Sequence, residues 1–297
     1  MRNIFFNQKS GYTQLILINV IIFVAMGALM VFSKILDLGI VFTSVYEQFS
    51  IPPRLFDFIQ KPWTLITFSF AHHFNYESGY ADILHILFNM LVLYWFGRLF
   101  VEYLGGEKII ALYVLGGIAS GLTYLLVFNT IPYFKEISNF SGMVGASGAV
   151  FAIMVAISTL LPDYTFYLIF LGPVKIKYIV GFYIVTSFLG SIGSNSGGNI
   201  AHLGGALMGY IYIKQLNIGV DWGRWITETI GAFKNMFRPR KNIKVTYRKT
   251  KPTPKKKNEN EEISQIEIDN ILDKISEGGY QSLTKEEKEK LFKVSKK

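Results

Sequence analysis

The amino-acid sequence predicts an all-α, polytopic membrane protein: one bundle of six transmembrane helices followed by a small helical tail. First, hydrophobic residues make up 51% of the 297 residues and charged residues only 17%, which is unusual for a soluble protein. Second, the apolar residues fall in long runs, which indicate membrane-spanning helices. Third, most of the basic excess behind the net charge of +9 follows Arg224. This position favours a flank that contacts lipid headgroups over a surface that binds nucleic acid.

Six apolar runs are long enough to be drawn as spans, at residues 14–32, 83–103, 109–128, 147–161, 178–193 and 199–214. Arg2 and Lys9 precede the first run, as in a signal peptide. That run is longer than a signal core and has no clear cleavage site, so we interpret it as a retained helix. The connection 33–82 is too apolar for a solvated loop and too broken for a span. We expect it to be partly embedded at the interface, with Trp63 among its anchors.

Basic residues set the expected orientation, because loops on the cytoplasmic side carry an excess of lysine and arginine. They precede the first and fifth spans, flank the turn after the second span and crowd the tail, whereas the loop 194–198 carries no charge. Both termini are therefore expected in the cytoplasm. Spans two, four and six then run from outside to inside, which brings His85, Ser147 and His202 to a similar depth near the outer side.

The fourth span is short. Its 15 residues cover roughly 22 Å at about 1.5 Å each, against a hydrocarbon core of about 30 Å. Pro162 and Asp163 hold its inner end near the interface, so the segment 130–146 must dip inward to reach Ser147. Irregular backbone at such depth is tolerated only where it lines protein or a water-filled cavity, and a hydrolase needs water as a substrate.

A hydroxyl and an imidazole lie in these apolar surroundings. Ser147 stands in Gly-Ala-Ser-Gly and His202 in Ala-His-Leu-Gly-Gly, and polar groups at membrane depth are costly enough to suggest a function. Serine becomes a useful nucleophile when a base accepts its proton. His202 is the only histidine in the last three spans, which contain no carboxylate, so a serine–histidine dyad is the simplest catalytic interpretation. Isolated packing roles for both residues are the alternative.

Small residues would let the two helices approach. Ala201, Gly205 and Gly209 recur every four residues in span six, and Gly148 follows the serine in span four. Small-x-x-x-small spacing allows close contact between helix backbones. The spacing therefore favours a hydrogen bond between Ser147 and His202.

An acyl-transfer site also needs donors for an oxyanion. The N–H of Ser147 lies at a helix N-terminus, where main-chain donors are free. His85 and Asn89 lie one turn apart on one face of span two. They either complete an oxyanion hole or form an interhelical hydrogen-bonded pair without a catalytic role. Asp82 is expected to be the N-cap of that helix rather than a third catalytic group.

These motifs resemble those of the rhomboid family of intramembrane serine proteases, in its bacterial type. The resemblance covers roughly residues 10–220 and includes a run of Gly97, Glu102 and Gly105 after the second span. Three motifs in the expected helices carry it: His-x-x-x-Asn at His85 and Asn89, Gly-x-Ser-Gly at Gly145, Ser147 and Gly148, and Ala-His-x-x-Gly-x-x-x-Gly at Ala201, His202, Gly205 and Gly209.

The resemblance implies roles for single residues. Ser147 would be the nucleophile and His202 the general base, while His85, Asn89 and the Ser147 N–H would form the oxyanion hole. Gly145 and Phe151 would belong to the same substrate-binding group, with Phe151 packed under the imidazole where some members carry tyrosine. The family's Trp-Arg in the first loop is Trp63-Thr64 here, so an arginine contact in the loop is missing.

The expected function is therefore that of a serine endopeptidase which cleaves transmembrane segments of other proteins, surrounded by membrane lipids and without a cofactor or metal. The resemblance implies a bacterial inner membrane, with the site towards the outer side. A rhomboid-like protein that binds or escorts membrane clients without cutting them is the alternative, and a small-solute transporter is a third hypothesis. The His-Glu-x-x-His of metalloproteases and the paired intramembrane aspartates of aspartyl proteases are absent.

Three segments are expected along the chain: a membrane domain at 1–220, a basic flexible linker at 221–260 and a small helical hairpin at 261–297. In the hairpin, Ile268, Ile271, Leu272 and Ile275 have helical spacing. Gly278 and Gly279 would end the first helix. Thr284 to Glu287 resembles a capping box for the second helix.

Overall fold

The computed structural model describes residues 11–136, 142–169, 171–236 and 265–295, which are mostly helical. The chain divides into two compact units, residues 1–238 and 239–297. The first unit contains the helices α1 Gly11–Ile35, α2 Gly39–Tyr46, α3 Leu55–Gln60, α4 Thr64–Thr67, α5 Ile83–Leu104, α6 Gly106–Thr130, α7 Pro132–Glu136, α8 Ser147–Leu160, α9 Ile176–Gly190, α10 Ser196–Asn217 and α11 Arg224–Met236.

Three helices in the described part of the chain are long and apolar enough to cross a membrane: α1, α5 and α6. The helices α8 and α9 are apolar but have only 14 and 15 residues. At about 1.5 Å per residue they cover roughly 21 to 23 Å, less than a hydrocarbon core of about 30 Å. The helix α10 has 22 residues but is diluted by glycine and polar side chains at its start. The structure thus supports a helical membrane protein, and the expected count of six spans is not established.

The helix α8 forms the centre of the first unit. Eleven of its 14 residues are buried, from Gly148 to Ser158, and α5, α6, α9 and α10 all contact it. The helix α9 is peripheral, since it buries only Ile176, Val180 and Ser187. A helix that is apolar all round and buried on all sides suits the interior of a bundle. Ser147 is therefore the first residue of a helix that is enclosed by the rest of the first unit.

The connection between α1 and α5 is structured throughout. Besides α2, α3 and α4 it contains 3₁₀ turns at Glu47–Phe49 and Phe68–Phe70, and the antiparallel strands β1 (Phe74–Asn75) and β2 (Tyr80–Ala81). Its aromatic residues pack against α1, with Phe42 and Phe74 in one cluster with Met26 and Met30. Trp63 remains about half exposed, which is compatible with the interfacial anchor expected from the sequence.

A pair of strands and one helix in the first unit were not expected. The strands β3 (Thr165–Leu168) and β4 (Gly172–Lys175) pair antiparallel between α8 and α9. The segment 221–260, expected to be a flexible linker, begins with helix α11, whose Ile226 is buried in the main core. The apolar spacing of Ile226, Ile230 and Phe233 explains this helix, because it makes one apolar face. Residues 237–260 of the expected linker lie outside the described residues.

The second unit contains α12 (Gln265–Gly278), a 3₁₀ turn at Tyr280–Ser282 and α13 (Lys285–Ser295). Gly279, which follows α12, has a φ of 73°, a conformation that glycine adopts without strain. The capping box forms at α13, where the Thr284 N–H donates to Glu287 Oε2 over 2.8 Å and the Glu287 N–H donates to Thr284 Oγ1 over 3.3 Å. Hydrogen bonds from Lys274 and Thr284 lower the pKa of Glu287 to about 2.

Candidate active site

Ser147 and His202 form a hydrogen bond between two helices. Ser147 is the first residue of α8 and His202 lies in the second turn of α10. Ser147 Oγ and His202 Nε2 are 2.7 Å apart, which is a short hydrogen-bond distance. The pair therefore has the separation that proton transfer from a nucleophile to a general base requires.

The turn before α8 aims Ser147 into the bundle. Gly145 has a φ of 144°, a region that side chains other than glycine rarely adopt. Its N–H donates to the carbonyl of Phe68 over 3.0 Å, and Met143 forms an antiparallel bridge with Ile51. The connection between α1 and α5 thus holds the irregular backbone that reaches the serine, as expected for residues 142–146. Residues 137–141 of the same segment lie outside the described residues.

Glycines bring α8 and α10 into backbone contact. A Cβ atom added at Gly205 would overlap the carbonyl oxygen of Gly148, and one added at Gly209 would overlap that of Ala152. A Cβ at Gly148 would overlap Ser120 Oγ and lie 3.4 Å from the carbonyl oxygen of Ala201. Side chains at these positions would separate the two helices, so the small residues keep Ser147 and His202 within hydrogen-bond reach.

An aromatic ring fixes one face of the imidazole. The rings of Phe151 and His202 stack with centroids 4.2 Å apart and planes inclined by 10°. Phe151 lies four residues after Ser147 on α8, so both groups face α10. The ring of Tyr183 on α9 is perpendicular to the Phe151 ring, with the two ring centroids 6.1 Å apart. Phe151 therefore restrains the imidazole without offering a hydroxyl group.

A cavity of about 380 Å³ opens over the pair. Its polar lining includes His85, Asn89, Ser147, Ser187, Asn199 and His202, and Phe151 and Met154 contribute apolar surface. The N-terminal parts of α5, α8 and α10 thus meet at one site. A cavity of this size has room for water molecules, whose share of liquid volume is about 30 Å³ each.

Of the groups expected to donate to an oxyanion, one is already hydrogen-bonded within its own helix. The first main-chain hydrogen bond of α8 joins Val150 N to Ala146 O, so the N–H of Ser147 precedes the helical ladder and has no helical acceptor. His85 and Asn89 line the cavity, but Asn89 Nδ2 donates to the carbonyl of His85 over 2.9 Å. Asp82 caps α5 by accepting from the N–H of His85 over 3.0 Å, which agrees with its expected role.

A third histidine lies next to the site. His72, in the loop before β1, is buried, and its Nε2 lies 3.2 Å from Oδ1 of Asn19 on α1. The centroids of the His72 and His85 rings are 6.3 Å apart. Burial, assisted by His85 and opposed by Asp82, lowers the pKa of His72 to about 4. His72 is therefore a neutral member of a polar cluster that joins α1 to the wall of the cavity.

Sequence reasoning missed Ser187. Its Oγ lies 3.0 Å from Nδ1 of His202, on the side of the imidazole opposite Ser147. A signal was present, because Ser187 shares one helical face with Ile176 and Val180 at spacings of four and seven residues. That face had to be identified as the inner face of α9 before the serine could be assigned to the site.

Comparisons with known proteins add two family matches. Residues 60–216, more than half of the chain, match the Rhomboid domain, and residues 255–297 match a family of unknown function, DUF6576. The first match contains all the residues that line the cavity. The second falls on the tail and assigns it no function.

Curated relatives match the same part of the chain. RHOMBOID-like protein 12, mitochondrial, from Arabidopsis thaliana is 35% identical over 166 residues, covering 52% of this chain and 47% of that protein. Presenilin-associated rhomboid-like protein A, mitochondrial, from Danio rerio is 28% identical over 50% of this chain and 36% of its own length. Rhomboid protein 1, mitochondrial, from Saccharomyces cerevisiae is 28% identical over 56% and 45%. The chain thus spans less than half the length of these relatives.

These relatives correct the expected location. The resemblance implied a bacterial inner membrane and the bacterial type within the family, and the charges added only an orientation, but the relatives are named as mitochondrial proteins. That expectation was wrong. The physical reason is that basic flanks report which side of a bilayer a loop occupies, whereas they carry no information on which organelle contains the bilayer.

Proposed function

Because this chain belongs to the rhomboid family, we propose that it is an intramembrane serine endopeptidase that cleaves transmembrane segments of other membrane proteins. The observation that carries this proposal is the 2.7 Å separation between Ser147 Oγ and His202 Nε2. A hydroxyl so close to an imidazole can give up its proton as it attacks a carbonyl carbon. No carboxylate occurs in α8, α9 or α10, so the base acts without the acidic partner of a triad.

The reaction proceeds by an acyl-enzyme. Ser147 Oγ attacks the carbonyl carbon of the scissile bond while His202 Nε2 takes the hydroxyl proton. The imidazolium then gives this proton to the leaving amine nitrogen as the C–N bond breaks, and an ester remains on Ser147. A water molecule attacks the ester with His202 again as the base, and Ser147 regains its proton. Each proton is returned within the cycle.

The oxyanion is stabilised by groups around the first turn of α8. The free N–H of Ser147 points from a helix N-terminus, where the helix dipole favours negative charge. The side chains of His85 and Asn89 line the same cavity and are the further donors. Asn89 must turn its amide away from the carbonyl of His85 to donate to the oxyanion, which becomes favourable once negative charge develops there.

The membrane setting fits this chemistry. We propose that α1, α5, α6, α8, α9 and α10 form a six-helix membrane domain, in which the short α8 is enclosed by longer neighbours. The cavity supplies a polar site for water beside the dyad. A substrate helix must unwind locally before attack, because its peptide bonds are hydrogen-bonded and shielded by side chains.

The experiment combines labelling and cleavage in detergent and in liposomes. The native chain should react with a fluorophosphonate probe and cut a single-span reporter protein. Ser147→Ala should abolish labelling and lower cleavage by at least about 10³-fold, as loss of a serine nucleophile does elsewhere. Ser158→Ala is the matched control, since Ser158 lies on the same helix about three turns away and should leave both signals near the native level.

Two outcomes would contradict the proposal. Labelling that persists in Ser147→Ala would mean that another group is the nucleophile. A folded native chain that binds the reporter but neither reacts nor cuts would favour a non-catalytic protein that binds membrane clients. Circular dichroism and thermal denaturation of each variant check that the loss of activity is not a loss of fold.

A further inference from the structure

We propose that Ser187 is a positioning residue which holds the His202 imidazole by accepting a hydrogen bond from Nδ1–H. This inference rests on the proposed function, since it concerns the same base. Ser187 Oγ lies 3.0 Å from His202 Nδ1, and His202 Nε2 lies 2.7 Å from Ser147 Oγ. One imidazole is thus held between two hydroxyl groups from two different helices, α8 and α9.

The burial pattern of α9 marks this serine as unusual. The three buried residues of the helix are Ile176, Val180 and Ser187, and they share one face. Neighbours such as Phe182, Val185 and Phe188 are more than half exposed. Ser187 itself is only 4% exposed, although a hydroxyl group is costly to bury unless it is hydrogen-bonded. Its hydrogen bond to His202 offsets that cost.

The tautomer of His202 gives the hydrogen bond its consequence. A neutral imidazole carries one proton, and only the nitrogen without it can accept. If Nε2 is to take the proton of Ser147, the ring proton must lie on Nδ1. A buried Nδ1–H without an acceptor would be unfavourable, and Ser187 Oγ is the acceptor in reach. The serine thereby favours the tautomer in which His202 is a base towards Ser147.

Chemistry distinguishes the two serines. Ser147 starts a helix, lines the cavity and has a free main-chain N–H beside it. Ser187 lies inside α9, where main-chain N–H groups are used by the helix, so an oxyanion formed there would lack donors. Ser187 is also neutral, so it can orient the imidazolium that forms during the reaction but cannot offset its charge as an aspartate would.

The test uses three variants. Ser187→Ala should lower kcat for the reporter by about ten- to hundredfold, as expected for loss of one hydrogen bond to a group that becomes charged, and KM should change less than about twofold. Ser187→Thr keeps the hydroxyl and should recover most of kcat. Ser191→Ala is the matched control, because Ser191 Oγ bonds only locally, to the carbonyl of Phe188, and should leave kcat unchanged.

A spectroscopic measurement separates positioning from a general structural effect. In ¹⁵N-histidine-labelled protein, the native chain should show His202 protonated at Nδ1, and Ser187→Ala should show the proton partly or fully on Nε2. This readout does not depend on activity. A chain that fails to cleave and to label would overturn the proposed function while the tautomer still tests Ser187. Native kcat and an unchanged tautomer in folded Ser187→Ala would overturn the role of Ser187.

Discussion

Substituting Gly205 by alanine tests whether backbone contact between α8 and α10 sets the geometry of the site. A Cβ atom there would lie 2.9 Å from the carbonyl carbon of Gly148, and closer to the carbonyl oxygen. Carbon atoms in ordinary contact are about 3.5 to 4.0 Å apart. Because both partners are main-chain atoms, no side chain can rotate away. The two helices must separate locally by roughly 1 Å to relieve the overlap.

That displacement falls on the dyad. Gly148 directly follows Ser147, and Gly205 lies three residues after His202, so separation of the helices lengthens the 2.7 Å hydrogen bond. A misplacement of about 1 Å can cost roughly 10²-fold in rate. Overpacking should also lower the free energy of unfolding by about 1 to 3 kcal/mol. Helix propensity alone predicts the opposite sign, since alanine exceeds glycine by about 1 kcal/mol.

The assay is cleavage of the reporter in liposomes, with fluorophosphonate labelling and thermal denaturation in parallel. Gly181→Ala in α9 is the matched control, because a Cβ there meets no atom within 4 Å. It should leave the rate near native and keep or raise stability. A Gly205→Ala variant that cuts at the native rate would refute the reasoning, since the helices would then tolerate a methyl group without moving the dyad.

Two further predictions concern rings beside the site. Phe151→Ala removes the ring stacked on His202, a contact of about 0.5 to 1.5 kcal/mol, and should lower kcat up to about tenfold. Phe151→Tyr keeps a stacked ring and should have a kcat near the native value. A native rate in the alanine variant would contradict a restraining role for Phe151. The pKa of His72 is about 4 in the folded chain, against 6.5 when the chain is unfolded. Between these pH values the unfolded chain therefore binds more protons than the folded chain. The free energy of unfolding should thus fall as the pH drops from about 6.5 to 4. Thermal midpoints measured across this pH range should show that the free energy of unfolding falls by up to roughly 3 kcal/mol. A folded His72→Gln variant whose stability falls as steeply with pH would contradict the assignment of this effect to His72.

The sequence predicts the long helices and the hydrogen-bonded pair of Ser147 and His202 because both leave strong local signals. Apolar runs give the positions of α1, α5 and α6 to within a few residues of the observed ends. Ser147 and His202 are identified because polar groups are rare in such runs. The small residues Gly205 and Gly209 predict the helix pair that joins them, since their spacing repeats along one face.

What the sequence does not reveal depends on contacts between elements. Ser187 follows Thr186 in α9, and both are small hydroxyl residues surrounded by apolar ones. Only the packing of α9 against its neighbours shows that the serine is the residue that contacts His202. Helix α11 was hidden by the basic residues around it, although Ile226 and Ile230 carry a helical period. Apolar length alone also does not give the number of spans, because α8 is shielded by protein and need not match the bilayer thickness.

The amide of Asn89 donates to its own helix at the carbonyl of His85, and on the proposed function this hydrogen bond affects which carbonyl groups the site can cleave. Ester carbonyls of the surrounding acyl chains are abundant and chemically easier to cleave than amides. On the proposed mechanism, a carbonyl group that approaches Ser147 only briefly finds an oxyanion hole in which the amide of Asn89 is still bonded to its own helix. Only a carbonyl held in register by a longer polypeptide stays there long enough to recruit the amide. On the proposed function, the ester bonds of the surrounding lipids would thereby be protected from hydrolysis at Ser147.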